Sequence, residues 1–160
     1  MMRAYVALGS NLGDSRQQLT DAMHALARLP HTRLLAHSHL YRTPPWGVHD
    51  QPDFLNAVVT LETSLSPHDL LDALLKIERA AGRERDDGRW GPRILDLDLL
   101  HITGITVNDE RLTLPHPHIA ERAFVLLPLH ELASDLEIPG QGRVADLLRA
   151  VDTQGCELLA

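Results

Sequence analysis

Ile94-Leu95-Asp96-Leu97-Asp98-Leu99-Leu100 alternates apolar and acidic side chains, and the rest of the chain is best read outward from it. Strand side chains point to opposite faces in turn, so Leu95, Leu97 and Leu99 share one face while Asp96 and Asp98 share the other. The spacing predicts a strand over 94–102, with leucines turned to a core. Just before it, residues 83–93 form a charged loop. Before that, Ser66-Pro67 opens a helix, with Ser as cap, Pro at the first helical position and Asp69 in the first turn. Leu70, Leu71, Leu74, Leu75 and Ile77 supply its buried face, and Gly82 is a natural stop.

Further upstream, Phe54 to Thr63 reads as a strand carrying the β-branched residues Val58, Val59, Thr60 and Thr63. Thr43-Pro44-Pro45-Trp46-Gly47 is a stiff loop that displays an indole. Residues 32–42 look extended. Asp14 caps a helix with Gln17 three residues on, and Leu19, Ala22, Met23, Leu26 and Leu29 follow at helical spacing until Pro30. Tyr5 to Leu8 is a first strand, closed by the turn Gly9-Ser10-Asn11-Leu12-Gly13-Asp14. Downstream, Leu114-Pro115-His116-Pro117-His118 leads into a helix over 119–132, and Val144 to Val151 suggests a last short one. The order β-α-β-β-α-β followed by helical additions suits an α+β, ferredoxin-like sandwich, with helices on one face of a mostly antiparallel sheet. No repeat or linker divides residues 1–160, so one domain is expected.

Composition narrows the function classes. Hydrophobic residues make up 44% of the chain, which argues against disorder, and no apolar run is long enough to span a membrane. The lone cysteine, Cys156, permits no internal disulfide. With an N-terminus that reads as a strand and not a targeting segment, the expected location is the cytoplasm. A net charge of −7 is the wrong sign for a phosphate-backbone binder, so no nucleic-acid partner and no membrane partner is expected. The chain is expected to act as a monomer. Ten histidines are many, but none shows zinc-site spacing.

Two carboxylates about 7 Å apart on one strand face repel each other and lose hydration if covered. A hard dication relieves both, because Mg²⁺ takes one or two carboxylates plus water and phosphate oxygens. On this segment alone, a metal site and a water-facing strand edge read equally well. Arg79, Arg83, Arg85, Arg89 and Arg93 lie just ahead of the pair, and guanidinium groups match phosphate with two parallel bonds. The alternative for 83–93 is a solvated loop of mixed charge, but acids and arginines together favour phosphate chemistry. Arg93 is the best single candidate, since Gly91-Pro92 stiffens its approach. No G-x-x-x-x-G-K-[ST] loop is present, so a nucleotide must be held by side chains and metal. Trp46, Phe54, Trp90 and Phe124 are four of six aromatic residues, and beside Asn56 such rings can sandwich a planar heterocycle as readily as fill a core. His116, between two prolines, is held rigidly enough to donate to a phosphate.

The stretch from Arg89 to Leu100 resembles the signature of the 6-hydroxymethyl-7,8-dihydropterin pyrophosphokinase family. Further matching blocks are Ala7–Gly13, Tyr41–Pro45, Asp53–Val58, Ile77-Glu78, Leu114–Pro117 and Glu121–Leu126, in the family's order across residues 4–133. The resemblance implies a transferase of folate biosynthesis with the ferredoxin-like fold, two Mg²⁺ ions, ATP as donor and the hydroxymethyl dihydropterin as acceptor. The pterin hydroxyl would attack the β-phosphorus, pyrophosphate would move whole, and AMP would leave. By the same resemblance Asp96 and Asp98 are metal ligands, and Arg83 and Arg93 join them as catalytic residues. Glu78, Arg83, Arg85, Trp90, Arg93, Leu99, Thr113, His116 and Arg122 would contact ATP. Thr43, Pro44, Trp46, Phe54, Asn56 and Phe124 would form the pterin pocket, with Phe54 and Phe124 as the flanking rings. The chain departs from the pattern at His118, where relatives frequently carry Arg, and at Asp86, which is basic in some. No residue stands out as a general base.

Overall fold

Ala4, Val6 and Leu8 point to one side of the first strand, and Tyr5 and Ala7 to the other; two separate cores grow from that alternation. The computed structural model describes residues 1–45, 51–82 and 94–159. Strand β1 (Met2–Ser10) pairs antiparallel with β4 (Phe54–Thr63) on one side and β5 (Asp96–Ile102) on the other. On the far side of β4 lie β2 (Thr32–His37), against its C-terminal end, and β3 (Leu40–Thr43), against its N-terminal end. The extended stretch expected over 32–42 thus breaks at Ser38 and His39. There Ser38 takes over the ladder, its N–H donating to the Val58 carbonyl at 2.9 Å and its hydroxyl accepting the Val58 N–H at 3.0 Å.

The first core is closed by α1 (Ser15–Ala27) and α2 (Pro67–Ala80), whose Leu19, Leu26, Leu70 and Leu74 are buried against Val6, Leu8, Leu61, Leu97 and Leu99. Both helices start as expected. The Asp14 carboxylate accepts the Gln17 N–H at 3.2 Å, and the Ser66 hydroxyl accepts the Asp69 N–H at 3.1 Å. Gly82 follows α2 at φ +94°, a left-handed conformation that favours glycine. Together these elements make the ferredoxin-like arrangement, with both of its helices on one face.

The opposite face is covered by the C-terminal additions, so helices pack on both sides of the sheet and not one. Helix α3 (Ala123–Ala133) packs on β4 and β3 through Val125, Leu126 and Leu129, and α4 (Val144–Ala150) packs on α3. Each fully buried leucine of this kind contributes roughly 1.5–3 kcal/mol. The expected single helix over 119–132 is two pieces. Ile119–Glu121 forms a 3₁₀ turn, Arg122 is extended at φ −114° and ψ 99°, and the α-helix begins only afterwards. The reason is tertiary: Ile119 is drawn fully into the second core while Arg122 is turned toward the sheet. Gly9 is likewise not a turn residue, because β1 continues through Ser10 with Gly9 paired to Asn56 and Asp96.

Several short strands give no periodic signal in the sequence. They are the hairpins β6 (Val107–Asn108) with β7 (Thr113–Leu114) and β8 (Glu137–Ile138) with β9 (Gly142–Arg143), and the C-terminal β10 (Glu157–Leu159) beside β3. Among the described residues no helix is long and apolar enough to cross a membrane.

Candidate active site

Helix α3 covers only part of its sheet face. Beyond its N-terminus the sheet face opens, and two rows of side chains reach the opening: Asn56, Gly9 and Asp96 in one, Ala7 and Asp98 in the next, where Val58 is already under the helix. The residues facing the two carboxylates on β1 are therefore the two smallest available, and nothing from that strand overhangs them. Gly9 is required on a second count. A Cβ there would stand 2.8 Å from Asn56 Oδ1 and 3.7 Å from a Phe54 ring carbon, so any larger residue would displace the amide.

Asn56 is buried, and its Nδ2 donates to Thr43 Oγ1 at 2.5 Å, which fixes the amide's orientation from the neighbouring strand. Phe54 and Phe124 both line the same cleft, with Pro44 at its rim. The cleft measures about 830 Å³. It continues from the sheet face around β5, which is an edge strand, to Leu71 of α2 and to Leu99, Arg111 and Thr113. Asp96 and Asp98 line it from β5, the strand between these two parts of the lining.

Positive charge approaches from the α3 side. Arg122 is buried against the cleft with its guanidinium carbon 5.6 Å from the Phe124 ring centre. Burial pulls it below the ordinary guanidinium value, while Asp98, Asp96 and Glu121 act in the opposite sense, and it remains a cation. His116 is pushed down to about 4, first by burial and then by the charges of Arg122 and His118. It is therefore neutral near pH 7. Its Nδ1 accepts the His118 backbone N–H at 3.1 Å, so the ring proton sits on Nε2 and is available to donate. The loop that carries it is held by its own N–H on the Leu100 carbonyl at 2.7 Å and by Gln141, whose amide donates to the His116 carbonyl at 2.9 Å.

Glu78 takes a different place from the cleft lining. It is 1% exposed at the end of α2, and its carboxylate accepts the Leu97 N–H at 2.7 Å. Among the described residues β5 is an edge strand, and Glu78 satisfies that group at the residue between the two aspartates. The expected residues Thr43, Pro44, Phe54, Asn56, Asp96, Asp98, Leu99, Thr113, His116, Arg122 and Phe124 all line one cleft. Trp46, Arg83, Arg85, Trp90, Arg93 and the Asp86 departure lie outside the described residues. Sequence reasoning missed Ala7 and Gly9, whose value is their smallness, and Arg111, which lines the cleft while paired with Asp72. Gln141 was also missed, since a glutamine 25 residues downstream carries no local signal.

The geometry can be set beside known proteins. The family model described as 7,8-dihydro-6-hydroxymethylpterin-pyrophosphokinase matches residues 5–134. The chain belongs to this pyrophosphokinase family. Its members' reaction, pyrophosphate transfer from ATP to hydroxymethyldihydropterin in folate synthesis, is the activity of this chain. Curated 2-amino-4-hydroxy-6-hydroxymethyldihydropteridine pyrophosphokinases of Methylorubrum extorquens and Pseudomonas aeruginosa are 52% and 50% identical to it, over 98% and 99% of this chain and 98% of each relative. Among solved structures, an HPPK-DHPS complex with substrates aligns with TM-score 0.75 at 11% identity, and wild-type Plasmodium falciparum HPPK-DHPS with 0.74 at 14%. Both alignments cover 93% of this chain but only 43% and 44% of those longer chains, and they bear on the fold. The pyrophosphokinase fold is thus shared even where identity has fallen away.

Proposed function

We propose that the lobe over the sheet face takes the dihydropterin, the lobe around β5 takes ATP, and Asp96 and Asp98 hold two Mg²⁺ ions between them. The observation that carries this is the position of the two acids. They share one strand face at the junction of the lobes, opposite Ala7 and Gly9, with Arg122 acting on both. The donor set fits the ion. Among the described residues no group of three acid, histidine or cysteine side chains converges, and two carboxylates suit a cation that completes its shell with water and phosphate oxygens. When bound, Mg²⁺ supplies charge neutralisation and alignment of the phosphate oxygens.

The chain's own residues do the remaining work by positioning. Phe54 and Phe124 flank the pterin, Asn56 offers its Thr43-anchored amide to the ring edge, and Trp46 and Pro44 border it. Arg122 and neutral His116 donate to phosphate oxygens, joined by Arg83, Arg85 and Arg93, with Trp90 and Thr113 bordering the nucleotide. The Leu97 N–H points to the outer edge of β5, so Leu99, two residues on, presents its main chain on that same edge to the base. Glu78 serves this lobe from beneath, by holding the strand. No side chain among these residues is assigned as a general base. The reaction is thereby one of alignment, the pterin hydroxyl oxygen facing the β-phosphorus with AMP as the leaving group.

Incubating the chain with ATP, Mg²⁺ and the dihydropterin should yield AMP and the pterin diphosphate. Release of inorganic phosphate independent of pterin would sink the two-lobe reading, as would undiminished turnover after chelation of Mg²⁺.

A further inference from the structure

The two walls of the sheet-face lobe belong to different elements. Thr43 ends β3 and Pro44 follows it, whereas Phe124 lies in the first turn of α3. A polar cluster outside the cleft also joins these two elements. Glu131, in the last turns of α3, reaches across to β3. Its Oε2 accepts the His39 N–H at 2.9 Å and the His39 Nδ1–H at 2.8 Å, and its Oε1 accepts the Tyr41 hydroxyl at 2.9 Å. Tyr41 is 8% exposed, and burial first, then Glu131, pushes its phenol up to about 12, so the hydroxyl is a donor throughout the physiological range.

Tyr41 and Thr43 are two residues apart on a strand and share a face. Glu131 and Phe124 are seven residues apart on a helix, about two turns, and share a face as well. The joint at Tyr41–Glu131 and the gap at Thr43–Phe124 are therefore on one line along the same pair of elements. The apolar contacts of Val125, Leu126 and Leu129 hold α3 against the sheet, but such contacts have no direction and tolerate sliding. Directional bonds to one carboxylate do not.

We propose that Glu131 and Tyr41 form a positioning pair for the known reaction: they lock the register of α3 on β3 and so set the width of the dihydropterin lobe. Neither residue lines the cleft, and both act only through Thr43 and Phe124. The inference rests on the reading that these two residues bound the pterin lobe.

The test is steady-state kinetics on the full chain carrying Tyr41→Phe, Glu131→Ala, Glu131→Gln or, as reference, Phe124→Ala, with thermal melts to establish that each is folded. For Tyr41→Phe the pterin KM should rise about 3- to 10-fold, and for Glu131→Ala more, with the ATP KM within about twofold of the parent. Glu131→Gln keeps one oxygen acceptor for Tyr41 but turns its NH2 toward the His39 donors, and should recover part of the loss. A pterin KM unchanged in Tyr41→Phe, or pterin and ATP KM values rising together in the folded variants, overturns the pair. Should Glu131→Ala not fold, Tyr41→Phe decides alone. If Phe124→Ala also leaves pterin binding intact, the lobe assignment has failed; if Phe124→Ala weakens it and Tyr41→Phe does not, only the positioning pair has.

Discussion

One face of the sheet carries two regions of opposite character on the same strands. Toward one end, Tyr5, Val58 and Leu100 lie under Val125, Leu126 and Leu129 of α3, with His101 stacked on Tyr5 at 6.4 Å. Toward the other, Gly9, Asn56, Asp96 and Asp98 face the open cleft. The change occurs within two to four residues along each strand. Apart from His101, brought opposite Tyr5 by the register shift between Tyr5 and Val6, alternation assigns these residues to one face, yet only the start of α3 decides which are core and which line the cleft. Where the helix covers them, large apolar groups gain by losing water. Past its end the strand carries small and polar residues that would be costly to bury without partners.

The contrast can be broken most severely at the carboxylates. On the proposed metal role, Asp96→Ala and Asp98→Ala should each lower kcat by about 10³-fold or more with the melting temperature preserved, since both carboxylates face the cleft and support no core. Near-normal turnover in both would remove the metal assignment. At the covered end the signs reverse. Leu126→Ala, at a fully buried position, should cost about 2–5 kcal/mol in denaturant unfolding while the folded fraction keeps its KM values. Gly9→Ala lies between the two: displacing the Asn56 amide should raise the pterin KM about tenfold and destabilise by about 1–3 kcal/mol. A variant with parental pterin KM would show that the close approach of Gly9 to Asn56 serves packing only.

The smallest effect is a pH dependence that spans both ends. Burial lowers the pKa of His101 under α3 and, with its cationic neighbours, that of His116 at the cleft, to about 4. Because the unfolded chain binds these protons more readily, stability contributed by either group is present above about pH 6.5 and is lost as pH falls below it, for His116 down to about 4. For His116 this amounts to roughly 2 kcal/mol, after allowance for its partial exposure. Urea unfolding from pH 7 to pH 5 should show the decline, and His101→Phe, which removes one titrating ring, should flatten it. A slope that His101→Phe leaves unchanged would remove His101 from the account.

Much of the fold was legible because its signals are local. Asp14 and Ser66 cap their helices as expected, Gly82 ends α2, and the leucines of 95–99 face the first core. The misreadings share a cause. The helix expected over 119–132 breaks at Arg122 because Ile119 and Arg122 answer to two different neighbours, the second core and the cleft, that no window of sequence contains. Gly9 looked like turn chemistry, but its freedom from a side chain is used for the approach of Asn56 from a strand 47 residues away. Glu78 carries a family match to the nucleotide site, and the fold adds a contact that no local signal announces, its carboxylate accepting the Leu97 N–H of β5.

By itself the sequence determined the family, through blocks in its order, and nominated the candidate residues: two acids at strand spacing, arginines before them and aromatic residues in loops. Those are properties of side-chain type and of short-range periodicity, and they hold before the chain folds. Only the tertiary structure decided that Asp96 faces Gly9, that the cleft turns the edge of β5, that His116 keeps its proton on Nε2, and that Glu131 ties α3 to β3. Each of these depends on groups far apart in the chain meeting in a register set by packing, and such a register is a property of the whole sheet and its two covering layers.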